Sequence, residues 1–134
     1  MCYNDKIGAE ERDLAVFRHK WGKKEQKMIN RTMIQDFEWY LPADGRHWRR
    51  CAEQAAALKE LGITDVWLPP AFKGTGGAED VGYGVYDTYD LGEFSQKGSV
   101  ATKYGTREEY LEAVRALQAQ GIAVYADIVL NHRM

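Results

Sequence analysis

The stretch Leu61-Gly62-Ile63-Thr64-Asp65-Val66-Trp67-Leu68-Pro69-Pro70 decides the fold, because it holds the end of a helix and a complete short strand. Gly62 suits the left-handed position that follows a helix. Ile63 to Leu68 is rich in β-branched and apolar residues, and two prolines, which cannot continue a ladder, close it. The same grammar returns at Gln120-Gly121-Ile122-Ala123-Val124-Tyr125-Ala126. Two matching helix-to-strand junctions give the order β-α-β-insert-α-β. Parallel strands joined by right-handed crossovers are the arrangement that this order predicts.

Upstream of the first junction, Trp48, Cys51, Ala52, Ala55, Leu58 and Leu61 recur at helical spacing and predict one apolar stripe. Upstream of the second, Thr106 and Glu109 have the spacing of a capping box, ahead of an apolar face of Tyr110, Leu111, Val114 and Leu117. Thr32 to Phe37 reads as the first strand, and Leu41-Pro42-Ala43-Asp44-Gly45 as the turn after it. Trp39 and Trp67 are assigned to the core, and His47 to the first turn of its helix. Residues 1–31 carry scattered charges without a sustained period and are expected to be a poorly ordered extension.

Composition narrows the function classes. A net charge of −2 over 134 residues gives no basis for a nucleic-acid or anionic-membrane partner. Cys2 and Cys51 lie far apart, form no ligand cluster, and are expected to be reduced thiols. No run approaches membrane-spanning length and the first residues lack a secretory pattern, so a cytoplasmic location is the expectation.

The insert 70–105 is longer than a connection requires, which points to function. Tyr83, Tyr86, Tyr89 and Phe94 offer flat apolar faces, and Asp80, Asp87, Asp90 and Glu93 offer acceptors. Aromatic faces beside carboxylates suit a sugar, which has an apolar C–H face and a rim of hydroxyls. A phosphate loop is excluded: Lys73 precedes the glycines and Glu79-Asp80 follow them, so fixed negative charge sits where a phosphate would bind. Asp127-Ile128-Val129-Leu130-Asn131-His132 delivers polar groups at the carboxyl end of an apolar run, where α/β proteins bind ligands. Each of these residues also has a structural reading: Asn131 as a turn residue, His132 as a hydrogen-bonded histidine, Asp127 as half of a buried ion pair.

Four segments in this order carry a resemblance: Gln35 to Pro42, Gly62 to Gly74, Asp80-Val81-Gly82-Tyr83-Gly84 through Phe94, and Asp127 to His132. Together residues 31–134 resemble the alpha-amylase family of glycoside hydrolases, in particular its liquefying bacterial and cytoplasmic members. The resemblance implies an α/β fold, the amino-terminal part of a (β/α)8 TIM barrel, with about three βα units within 32–134. It implies that His132 hydrogen-bonds the sugar where cleavage occurs, that Tyr83 stacks on that sugar, and that Asn131 is a ligand of a structural Ca2+. The implied substrate is an α-glucan oligosaccharide or polysaccharide such as starch, glycogen or maltodextrin, cut at internal α-1,4 bonds with retention.

The family's nucleophile, acid/base and third carboxylate lie on later strands, and no residue here matches them. A complete barrel takes about 250 residues, so the barrel expected here is incomplete and the chain alone is expected to be inactive. Open sheet edges make self-association a further expectation. The rival readings are a non-catalytic carbohydrate-binding or assembly module, and an interaction protein built on its open sheet.

Overall fold

The computed structural model describes residues 30–134, so all of the expected extension except its last two residues lies outside the described residues. Arg31 is the last residue of that expected extension. Its guanidinium pairs with the Asp65 carboxylate and brings the start of the ordered chain onto the second strand.

Three strands, β1 (Met33–Gln35), β2 (Asp65–Leu68) and β5 (Ala123–Ala126), form a parallel sheet in the order β1-β2-β5. Ile34 sits opposite Val66, and Val66 opposite Val124, so one apolar row crosses all three. β1 is shorter than the sequence implies, although the Asp36 amide still donates to the Trp67 carbonyl at 3.0 Å. Helix α1 (His47–Glu60) links β1 to β2, and α2 (Arg107–Ala119) leads into β5. Gly62 and Gly121 have φ of +83° and +71°, the left-handed turn that lets each helix stop and the next strand begin.

The core lies between the sheet and the two helices. Trp48, Cys51, Ala55, Leu58, Ala113 and Leu117 meet Val66, Leu68 and Ile122 there. Leu61 departs from the predicted stripe and is exposed, because α1 ends one residue before it and its side chain leaves the apolar face. The capping box at α2 is present: the Glu109 amide donates to Thr106 Oγ1, and the Thr106 amide donates to Glu109 Oε2 at 3.0 Å. α1 lacks a side-chain cap, and the end of the insert does that work instead. The amides of Gly45 and Trp48 donate to the Lys103 and Tyr104 carbonyls.

His47 is more than a first-turn residue. It is buried with Nε2 3.6 Å from Asp36 Oδ2, and neither atom has a hydrogen-bond partner among the described residues. Burial pushes the His47 imidazole down and the Asp36 carboxyl up, each toward its neutral form. The free Cys51 thiol beside them is pushed up by the same burial and is unreactive as a nucleophile.

The insert is not a bare loop. It contains an antiparallel pair, β3 (Lys73–Gly74) with β4 (Val85–Asp87), and a short 3-10 turn at Gly77–Glu79. At its centre Lys73 and Asp90 are fully buried, with Nζ 3.6 Å from the carboxylate. Lys73 Nζ also donates to the carbonyls of Ser99 at 2.8 Å and Val100 at 2.6 Å. One Asp90 oxygen accepts from the amides of Gly92, Glu93 and Phe94. Burial by itself would raise the Asp90 carboxyl; the three amides and then the Lys73 charge outweigh it and hold it below its ordinary value.

Removing one partner of a buried pair leaves the other charge uncompensated, which costs about 3–5 kcal/mol. Lys73→Met should therefore open residues 92–105 to proteolysis and amide exchange. Asp90→Asn should do less damage, because its carbonyl oxygen keeps the three amides satisfied and Lys73 keeps the Ser99 and Val100 carbonyls, which Lys73→Met leaves unpaired. Protection of the Ser99 to Ala101 region that is equal in Lys73→Met and wild type would contradict this.

Candidate functional site

All three sheet strands run the same way, so the segments that follow them emerge on one side of the molecule. Trp39 comes from the segment after β1, Tyr83 from the insert after β2, and Asp127, Asn131 and His132 from the segment after β5. This convergence is the reason distant residues can address one ligand.

Tyr83 is held at three points. Its hydroxyl donates to Asp127 Oδ2 at 2.7 Å, and its carbonyl lies 2.8 Å from His132 Nε2, a contact in which the imidazole donates. The third is its ring, which is parallel to Trp39, with centroids 6.2 Å apart and 3° between planes. Burial first, then the Asp127 carboxylate, push the Tyr83 phenol up to about 12. Asp127 thus makes a hydrogen bond to a tyrosine, where the sequence left open an ion pair or a site role.

Beyond His132 the backbone continues along β4: the Arg133 guanidinium donates to the Tyr86 carbonyl and the Met134 amide to the Val85 carbonyl. The structure therefore brings Tyr83 and His132 together. Asn131 is exposed beside them. It supplies one oxygen donor, and no group of three or more His, Cys, Asp or Glu among the described residues could hold a metal ion. These residues by themselves do not amount to a calcium cage.

The assignment of Trp39 and Trp67 to the core is corrected. Trp39 is 61% exposed, and Trp67, packed edge-on against Phe37, is 36% exposed. Both line a cleft of about 400 Å³ with Gln35, Glu38, Val81, Tyr83 and Tyr104. Trp39 follows the end of β1 rather than lying within it, and that position was the available signal that its ring belongs to the binding face. Two parallel aromatic rings at the mouth of a cleft, with Gln35 and Glu38 on its wall, can take the apolar face of a sugar and hydrogen-bond its rim.

The family model described as "Alpha amylase, catalytic domain" matches residues 46–134. The chain belongs to the alpha-amylase family. It is 61% identical over 105 residues to an alpha-amylase of Geobacillus stearothermophilus, a match that covers 78% of this chain and 19% of that protein. An alpha-amylase of Bacillus licheniformis is 57% identical over 105 residues, covering 78% of this chain and 20% of its own length. The cytoplasmic alpha-amylase of Escherichia coli K12 is 50% identical over 107 residues, covering 80% and 22%. The chain thus spans about a fifth of the length of the curated relatives it matches. Among solved structures, a truncated alternansucrase of Leuconostoc mesenteroides NRRL B-1355 superposes with a TM-score of 0.63 at 27% identity, covering 72% of this chain and 10% of that one. The same enzyme has been solved in complex with isomaltotriose. No helix among the described residues is long and apolar enough to cross a membrane.

Because the folded state holds the Tyr83 proton more tightly than the unfolded chain, through burial first and then the Asp127 hydrogen bond, the stability tied to the protonated phenol is complete below pH 10 and is lost as the pH rises toward about 12. In an ultraviolet titration, the tyrosinate signal that separates wild type from Tyr83→Phe should open only as the pH approaches about 12. Asp127→Asn should bring that transition down toward the ordinary value. A wild-type Tyr83 transition with its midpoint at pH 10, the ordinary phenol value, would contradict this.

Proposed function

We propose that residues 31–134 form the opening portion of a (β/α)8 alpha-amylase barrel and contribute its sugar-binding rim. In this reading Tyr83 and Trp39 stack on glucose units of starch, glycogen or a maltodextrin, and His132 hydrogen-bonds the sugar at the point of cleavage. The parallel Trp39–Tyr83 pair at the carboxyl end of the sheet is the observation that carries the reading.

The reaction assigned to the complete barrel is retaining hydrolysis of internal α-1,4-glucosidic bonds. One carboxylate attacks the anomeric carbon and a second acid protonates the leaving oxygen, through an oxocarbenium-like transition state. None of those carboxylates is assigned to this chain. Its share is to bind and orient. The negative face of the Tyr83 ring favours the positive charge that develops on the sugar, by about 1 kcal/mol. With His132 Nε2 donating to a backbone carbonyl, Nδ1 is the nitrogen left to accept from a glucose hydroxyl. Asn131 is proposed as one oxygen donor to a structural Ca2+ whose other ligands come from elsewhere. Its carbonyl oxygen suits that hard cation. A cytoplasmic location, as named for the Escherichia coli relative, belongs to the same proposal.

β1 and β5 each pair on one side only within the described sheet, so we expect the 134-residue chain to self-associate through these edges in light scattering. Purified and alone, it should not hydrolyse starch. Placed in the cytoplasmic alpha-amylase of Escherichia coli in exchange for the matching stretch, residues 31–134 should support starch hydrolysis. In that chimera Tyr83→Ala and His132→Ala should each lower kcat by about tenfold or more, the factor that ~1.4 kcal/mol represents, with a smaller effect on ground-state glucan binding. Unchanged kcat/KM in both variants would remove these residues from the site. A folded chimera that binds glucan without turnover would favour the non-catalytic binding module.

A further inference from the structure

Asp80 lies outside the aromatic platform, yet its carboxylate organises the backbone on both sides of Tyr83. Oδ1 accepts from the Gly82 amide at 2.8 Å and from the Gly84 amide at 3.2 Å, the two residues that flank the ring-bearing position. Oδ2 accepts from the Gly76 amide at 3.0 Å and faces the Thr75 hydroxyl at 3.4 Å. One side chain therefore ties the start of the 3-10 turn to the segment that carries Tyr83 into β4. The surrounding sequence leaves room for it. A Cβ at Gly84 would lie 2.5 Å from Asp80 Oδ2, and a Cβ at Gly74 2.2 Å from its Cγ, so both positions are glycine where the carboxylate sits. From below, the Tyr104 hydroxyl donates to the Val81 carbonyl at 2.9 Å. Asp127 fixes the far end of the tyrosine through its hydroxyl, but a hydrogen bond at the tip leaves the ring free to pivot. The direction in which the ring leaves the backbone is set at the Cα end, between the two amides that Asp80 holds.

We propose that Asp80 is a positioning residue for sugar binding: by holding the Gly82 and Gly84 amides, it fixes the backbone from which the Tyr83 ring projects beside Trp39 and toward the glucan. This rests on the reading of the Trp39–Tyr83 pair as a sugar platform, and it adds the group that keeps the platform aligned. A platform with a mobile ring gives up contact that a fixed one keeps, because ordering the ring then has to be met from binding energy.

Asp80→Asn separates positioning from charge. Its side-chain oxygen can keep both Oδ1 bonds, whereas Asp80→Ala loses every one. The test uses the full 134-residue chain with two readouts. The first needs no sugar: nuclear Overhauser contacts between the Trp39 and Tyr83 rings should be present in wild type and Asp80→Asn, and lost in Asp80→Ala. The second is maltotriose affinity, measured calorimetrically. Asp80→Ala should weaken it about tenfold, equivalent to losing roughly one good interaction, and should add nothing further in a Tyr83→Ala background. Gly84→Ala, which intrudes on the carboxylate but leaves Asp80 in place, should behave like Asp80→Ala and decides the matter if Asp80→Ala does not fold. Ring contacts and affinity unchanged in Asp80→Ala or Gly84→Ala, or an equal loss of affinity with and without Tyr83, would overturn the assignment. If the ring contacts respond as expected but wild type does not bind maltotriose, the positioning role stands and the sugar reading fails.

Discussion

The buried pair of Lys73 and Asp90 is the constraint on which the insert, and through it the binding face, depends. An insert of this length would ordinarily be mobile, and its own apolar cluster, Phe72 and Val85 with Val129, is small. Here a cation with no exposure is surrounded by a carboxylate and by carbonyls drawn from Ser99 and Val100, so distant parts of the insert must converge to satisfy one ammonium. Such a pair contributes little as attraction, since desolvation offsets most of the Coulomb energy, but leaving it unmade is costly. It therefore acts by excluding alternatives. The register of β3 against β4, which places Lys73 opposite Asp87, follows from that choice.

From there the chain of consequence runs outward. β4 anchors the segment that precedes it, Asp80 ties that segment to the turn before it through the Gly82 and Gly84 amides, and the Tyr83 ring lies parallel to Trp39. The insert also returns to the core: Tyr104 is buried against Trp48, with rings 5.4 Å apart, and the carbonyls of Lys103 and Tyr104 cap α1. The Trp39–Tyr83 cleft and the core consequently share Tyr104. Beside the same Trp48 and Tyr104 rings, the buried Asp36–His47 pair lines a cleft of about 460 Å³, and neither Asp36 Oδ2 nor His47 Nε2 has a hydrogen-bond partner among the described residues.

Much of the α/β layer was legible in the sequence because it obeys local rules. Gly62 and Gly121 need the left-handed region, Thr106 and Glu109 satisfy each other's amides, and the stripe from Trp48 to Leu58 keeps helical spacing. Tyr83 and His132 were likewise nominated from their motifs, and the structure brings them into contact. What escaped was set by partners remote in the chain. Lys73 read as an ordinary residue ahead of a glycine run, since nothing local shows that Asp90 and two carbonyls will enclose it. His47 read only as a first-turn residue for the same reason. Trp39 and Trp67 were assigned inward on hydrophobicity alone, whereas aromatic rings on a strand end serve a ligand as readily as a core.

The central claim is that Trp39 and Tyr83 together form a surface for an α-glucan. Its most direct test is a nitrogen–proton correlation spectrum of the chain, titrated with maltotriose and followed at the tryptophan indole N–H groups. Trp39 is exposed on the platform, while Trp48 is fully buried in the helix–sheet core and serves as an internal control. The account predicts that the Trp39 indole signal and the Tyr83 amide shift together in a saturable way while the Trp48 signal stays in place. A saturating excess of sugar that leaves Trp39 unmoved, or that moves Trp48 as much as Trp39, would contradict it.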